Sequence, residues 1–144
     1  MSDDDQPVTV LSEHESWSLL SSVALGRLVT NVGGQPEIFP VNFVTQRPTV
    51  LFRTAEGTKL VGAVMNNQVA FEADDHNVAE GWSVIVKGSA HILSTSAEIE
   101  KAERAQLLPW IATLKLHYVR IIASQITGRR FKFGAEPDPG STFA

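Results

Sequence analysis

At 144 residues the chain has the length of one ordinary domain, and 43% hydrophobic residues are enough to bury a core. A formal charge of −4 argues against general nucleic-acid binding, which needs a basic excess or stripe. There is no cysteine, which excludes disulfides, thiol catalysis and cysteine-held metals, and no apolar run is long enough to span a bilayer, which points to the cytoplasm.

Residues 1–9 read as a disordered acidic N-terminus, 10–133 as a single domain and 134–144 as a loose tail rich in proline and glycine. Ser12-Glu13-His14-Glu15 is a capping-box pattern, and Trp17, Leu20 and Val23 follow at helical spacing, which predicts a helix from about Glu13 to Ser22. Gly26 to Val32 and Gln35 to Gln46 read as paired strands around a Gly33-Gly34 hairpin turn. In the second strand Phe39, Val41 and Phe43 share one face, and Ile38, Pro40, Asn42 and Val44 the other. Thr49 to Thr54 is a third strand.

The next stretch, Phe52-Arg53-Thr54-Ala55-Glu56-Gly57-Thr58-Lys59-Leu60, reads as a strand end, a turn and the start of a helix running to about Met65. Backbone N–H groups at a helix start favour an anion, and Arg53, Thr54, Thr58 and Lys59 add two cations and two hydroxyls. The turn alone fits either a phosphate seat or a solvated loop, since it lacks the Gly-rich lysine motif of nucleotide hydrolases.

Beyond it, Val69, Phe71 and Ala73 alternate with Ala70, Glu72 and Asp74 as a half-buried strand, and Asp75 to Gly81 reads as a polar connection. Trp82 to Leu93 is the longest expected strand, with a bend or bulge at Gly88. Thr95 and Glu98 open a helix that runs to about Leu107, before Pro109. Tyr118 to Thr127 is the last strand, followed by Gly128-Arg129-Arg130-Phe131. Strands joined by hairpins and short helices, without regular βαβ alternation, predict a mainly β fold, a six-stranded antiparallel barrel with helices at its ends. His14, His76, His91 and His117 lack the spacing of zinc ligands. Asp74-Asp75-His76 fits a metal or base role or a solvated turn, and there is no Gly-x-Ser-x-Gly nucleophile elbow.

Taken together, Ala24-Leu25-Gly26-Arg27-Leu28-Val29-Thr30, Pro40-Val41-Asn42-Phe43, Phe52-Arg53-Thr54 with Gly57-Thr58-Lys59-Leu60, Gly81-Trp82-Ser83-Val84 with Val86-Lys87-Gly88, and Ile126-Thr127-Gly128-Arg129-Arg130-Phe131 resemble the pyridoxamine 5′-phosphate oxidase-like proteins in the right order. The resemblance covers about residues 10 to 133. It implies an FMN-binding split barrel that is an obligate homodimer with two flavin sites between subunits. Some actinobacterial relatives use the deazaflavin F420 instead.

Carried over residue by residue, the resemblance implies phosphate contacts at Arg53, Thr54, Thr58 and Lys59. It implies that Pro40, Val41 and Asn42 pass the isoalloxazine ring. Trp82 and Ser83 would reach the flavin from the partner subunit, and Arg129 would approach the ring's open face. No catalytic side chain is implied, because the flavin supplies the redox chemistry. Trp82, Ile85 and the Phe39-Val41-Phe43 face are expected at the shared surface. The family often has arginine where Lys87 stands and proline three residues after the position of Arg120, and the cations that hold the pyridoxal substrate have no match. The sequence therefore suggests a flavin-dependent oxidoreductase acting on a small molecule other than pyridoxamine 5′-phosphate, with neither nucleic-acid nor membrane partners. The alternatives are an F420-binding reductase, or a non-catalytic flavin, deazaflavin or small-ligand carrier on the same fold.

Overall fold

The structure, a computed structural model, describes residues 6–54, 68–105, 107 and 117–135. Its elements are β1 (Val8–Val10), α1 (Glu13–Leu20), β2 (Leu25–Val32), β3 (Gln35–Gln46), β4 (Thr49–Thr54), β5 (Gln68–His76), β6 (Glu80–Ile92), α2 (Ser96–Glu103) and β7 (His117–Lys132). The strands form a 7-stranded sheet in the order β1-β7-β4-β3-β2-β5-β6, and a further β6–β7 pairing closes β2 to β7 into a barrel. Every pairing is antiparallel. The expected six-stranded split barrel is therefore present. No helix among the described residues is long and apolar enough to cross a membrane.

Local chemistry explains where the elements begin and turn. Ser12 Oγ accepts from the Glu15 amide at 3.1 Å and the Glu15 carboxylate accepts from the Ser12 amide at 3.1 Å, a complete capping box at the start of α1. Thr95 and Glu98 repeat it at α2, with the Glu98 amide donating to Thr95 Oγ1 at 3.2 Å. Each carboxyl is held below its ordinary value, Glu15 by its bonds to the Ser12 backbone and side chain, Glu98 by those to the Thr95 side chain and backbone. Gly33 and Gly34 take φ of 58° and 80°, so the β2–β3 hairpin turns through two left-handed residues, as a tight primed turn requires.

Several boundaries differ from the sequence reading. β1 was not expected, because three residues are too few for a periodicity to show. β7 continues through Gly128, Arg129 and Arg130 to Lys132 instead of stopping at Thr127, since this segment pairs with both β1 and β6. The β5–β6 connection is shorter than Asp75 to Gly81: β5 runs to His76, β6 starts at Glu80, and Asn77 Oδ1 accepts from the Ala79 and Glu80 amides. α1 stops at Leu20 and α2 at Glu103. The helix expected up to Met65 and the residues after 135 lie outside the described residues.

The core fills the barrel from the inward face of each strand from β2 to β7. Leu28, Phe43, Val50, Phe52, Phe71, Val84, Val86, Val119 and Ile121 are buried inside it, and Trp17 and Leu20 of α1 plug one end. Phe43 and Phe71 meet edge to face with centroids 4.8 Å apart. A second cluster lies outside the barrel wall, where Leu51, Leu93, Ala102 and Leu107 pack with Val44 and Tyr118 beneath α2. β4 is thus covered on both faces, which is why its sequence runs Thr-Val-Leu-Phe without alternation.

Candidate functional site on the outer barrel wall

Strand alternation sorts the expected site residues by face. In β3, Phe43 points into the barrel and Val41 packs half-buried against the same core. Pro40 and Asn42 therefore face outward. In β4, Phe52 lies inside, so Arg53 shares the outer face with Leu51. In β6, Trp82 and Val84 are core residues, which leaves Ser83 and Ile85 outside, and in β7 Arg129 is exposed on the outer wall. Pro40, Asn42, Arg53, Ser83 and Arg129 thus share the outer wall, while Val41, Thr54 and Trp82 are turned inward or buried. Thr58 and Lys59 lie outside the described residues. Of the expected shared surface, Phe43 and Trp82 are 2% and 9% exposed, so the barrel core claims them. Phe39 and Val41 are half-buried, and Ile85 is exposed.

Register fixes where these side chains sit along the wall. Pro40 lies opposite Arg27, Arg27 opposite Glu72, Glu72 opposite Ile85, and Ile85 opposite Thr127. A parallel row runs from Asp74 through Ser83 and Arg129 to Val10. At one end of the wall, Arg53 pairs with Tyr118 across β4 and β7, and its guanidinium carbon lies 4.9 Å from the centre of the Tyr118 ring. At the other end, Val10, Ser83, Ile85, Thr127, Arg129 and Phe131 line a groove of about 380 Å³.

Between the two ends lies a polar cluster that the sequence reading missed. Arg27 Nη1 donates to Glu72 Oε1 at 2.8 Å and to Asp74 Oδ2 at 3.0 Å. Ser83 Oγ donates to Glu72 Oε2 at 3.1 Å. Burial pushes the Glu72 carboxyl above its ordinary value, and its hydrogen bond with Asp74 and that neighbour's charge push the same way; Ser83 and Arg27 oppose the rise. The available signal was two acids at period two flanking a buried alanine, Glu72-Ala73-Asp74. Their arginine partner is 45 residues away from Glu72, beyond the reach of any local pattern.

The other candidates resolve into structural contacts. Asp75 Oδ1 accepts from the His76 amide at 2.8 Å, and no group of three or more metal-capable side chains gathers among the described residues. Arg130 turns to the opposite face from Arg129 and pairs with Glu80 at 3.1 Å. His14 lies 3.2 Å from Arg47.

Comparison with known proteins agrees with this architecture. Residues 12–130 match the family described as pyridoxamine 5′-phosphate oxidase. The uncharacterized protein Rv3129 of Mycobacterium tuberculosis is 66% identical over 101 residues, covering 70% of this chain and 92% of that protein. Among solved structures, the FAD binding protein from Mycobacterium smegmatis is 58% identical, covers 87% of this chain and 99% of its own, and superposes with a TM-score of 0.80. A Corynebacterium glutamicum protein, provisionally named a pyridoxamine 5′-phosphate oxidase, is 45% identical over 92% of this chain and 98% of its own, with a TM-score of 0.83. With its closed barrel, the order of its motifs and a match spanning most of its length, the chain belongs to the pyridoxamine 5′-phosphate oxidase family.

Proposed function

We propose that the protein is a flavin-dependent oxidoreductase that binds FMN at a site shared by two copies of the chain and acts on a small molecule other than pyridoxamine 5′-phosphate. The observation that carries this reading is the division of the outer wall into two halves. Arg53, Asn42 and Pro40 form a half suited to a phosphate and a ring edge. Ser83 and Arg129 form the other half, beside an apolar groove. From β4 through β3, β2, β5 and β6 to β7, the path round the wall from Arg53 to Arg129 is roughly 24 Å, taking about 4.8 Å per strand, whereas Pro40 on β3 and Ser83 on β6 are three strand spacings apart, roughly 14 Å. Along β7 from Tyr118 to Arg129 the path is longer still, roughly 36 Å at about 3.3 Å per residue. That one ligand draws on two copies of the chain is what the family resemblance implies. The exposed Ile85 and Val10 beside Arg129 supply apolar area for such a contact.

The donor set fits the group. A phosphate ester needs several donors and counter-charge, which Arg53 supplies at the end of β4, with Thr58 and Lys59 following in sequence. The name of the Mycobacterium smegmatis relative supports a flavin, and FAD contains the same ring and first phosphate. When bound, the flavin supplies reversible two-electron chemistry. The chain's own residues hold its phosphate, orient the ring and cover one side from water.

The experiment is a titration of purified protein with FMN, FAD, riboflavin and F420, followed by anaerobic reduction with NADPH or reduced F420. FMN should bind tightest, and a donor should bleach it rapidly. Hydrogen bonds to charged groups contribute roughly 1.5–3 kcal/mol each. Lys59→Ala should therefore weaken FMN by about one to two orders of magnitude and spare riboflavin. Equal losses for both ligands would remove the phosphate seat. A bound flavin inert to every donor and acceptor would leave a carrier. Sedimentation at micromolar concentration should give a dimer, whose obligate interface would bury more than about 2,000 Å².

A further inference from the structure

We propose that Tyr118 is a positioning residue for phosphate capture: its ring lies against the Arg53 guanidinium and restricts its rotamers, so that the cation is already ordered at the end of β4 when a phosphate ester arrives. The inference rests on the phosphate half of the flavin reading. Arg53 and Tyr118 are direct cross-strand partners, and the guanidinium carbon sits 4.9 Å from the ring centre. That geometry lies within cation–π range. Tyr118 is itself fixed: it packs half-buried in the cluster of Leu51, Leu93 and Leu107, and its carbonyl accepts from the Leu93 amide at 3.0 Å.

An arginine side chain has many rotamers, and ordering it at the moment of binding weakens a complex. A guanidinium carries its N–H donors in a planar fork that can meet two phosphate oxygens at once, and contact with the ring limits the orientations that fork can take. Tyr118 therefore bears that ordering in the protein before any ligand arrives. The role belongs to the aromatic face and not to the hydroxyl, which separates it from ordinary packing. Phenylalanine preserves it, and leucine fills space without it.

The test compares Tyr118→Leu and Tyr118→Phe with the parent protein by titration calorimetry against FMN, riboflavin and inorganic pyrophosphate, with melting temperature as the folding control. Tyr118→Leu should weaken FMN and pyrophosphate about five- to thirtyfold and leave riboflavin within about twofold. Tyr118→Phe should bind like the parent. Parallel losses of FMN and riboflavin, equal damage from both substitutions, or unchanged phosphate binding in Tyr118→Leu would each overturn the proposal. A parent protein that takes up pyrophosphate in a Tyr118-dependent way but binds no flavin would refute the flavin reading and leave the role of Tyr118 standing. A parent protein that takes up neither would refute both.

Discussion

Replacing Gly88 with alanine should be among the most damaging single-methyl additions in this chain. Gly88 sits at the register shift between Lys87 and Gly88, where β6 crosses the bulged part of β7. A Cβ built there would overlap the Ile122 carbonyl oxygen, stand 2.8 Å from the Ile122 carbonyl carbon and 3.1 Å from Ala123 Cα. All of these are backbone atoms, so no rotamer change relieves the clash. The strands must part, which strains the pairs on either side and the bond from Ser124 Oγ to the Lys87 carbonyl, 3.0 Å long. Overpacking of this kind costs about 1–3 kcal/mol, and one or two weakened backbone hydrogen bonds about 0.5–1.5 kcal/mol each. The sum is about 1.5–6 kcal/mol, or a fall in Tm of roughly 5–24 °C for a chain of this size. The control is Gly34→Ala, where φ is +80° and nothing lies within 4 Å. Its cost is conformational only, about 1–2 kcal/mol. Thermal denaturation of both variants decides the matter. A Gly88→Ala protein melting within about 2 °C of the parent, or above Gly34→Ala, would refute the close-approach argument.

Two further outcomes follow from the wall cluster and the cations. The Glu72 carboxyl is raised in the folded state, so the folded protein keeps a proton there that the unfolded chain has lost; this contribution to stability should decline as pH rises from about 4.5 through the raised value, and Glu72→Gln should flatten the slope in urea titrations. An increase across that window attributable to Glu72 would reverse the assignment. Oxidation of pyridoxamine 5′-phosphate should stay below about 1 s⁻¹ with flavin bound. A second phosphate needs its own cations, and Arg27 is engaged by Glu72 and Asp74, Arg130 by Glu80, and Arg47 lies beside His14. Turnover at ordinary enzyme rates would restore the vitamin B6 reaction.

β2, β3, β5 and β6 were legible because one side of each is buried, so alternation such as Val69-Phe71-Ala73 records the barrel interior directly, and β4 was legible as a short apolar run. Both helix starts were legible because a capping box is written within four residues. What escaped depended on distant partners. β1 exists because Thr9 finds Arg130 across most of the chain, and the Gly-Arg-Arg end of β7 is a strand because β1 and β6 flank it. The site was legible as residue types and order, through the family resemblance, but not as geometry. Pro40-Val41-Asn42 reads as one unit in sequence, yet the pleat sends Val41 inward and its neighbours outward. The same alternation separates Trp82 from Ser83. Arg27, Glu72, Asp74 and Ser83 come from three strands, and only register brings them together.

β7 pairs with β1, β4 and β6, so it is the seam on which the barrel closes. During synthesis the hairpins β2–β3 and β5–β6 can form as soon as they leave the ribosome, since their partners are neighbours in sequence. The free edges of β4 and β6 cannot. Each waits for a strand made near the end of the described chain, and β1 waits longest. A nascent chain stalled before residue 117 would display two unsatisfied strand edges and an uncovered apolar face, the combination that recruits chaperones and seeds aggregation. Closure should accordingly be late and cooperative, limited by the long loops it must gather. Shortened products ending before β7 should be recovered as insoluble material, not as smaller folded barrels.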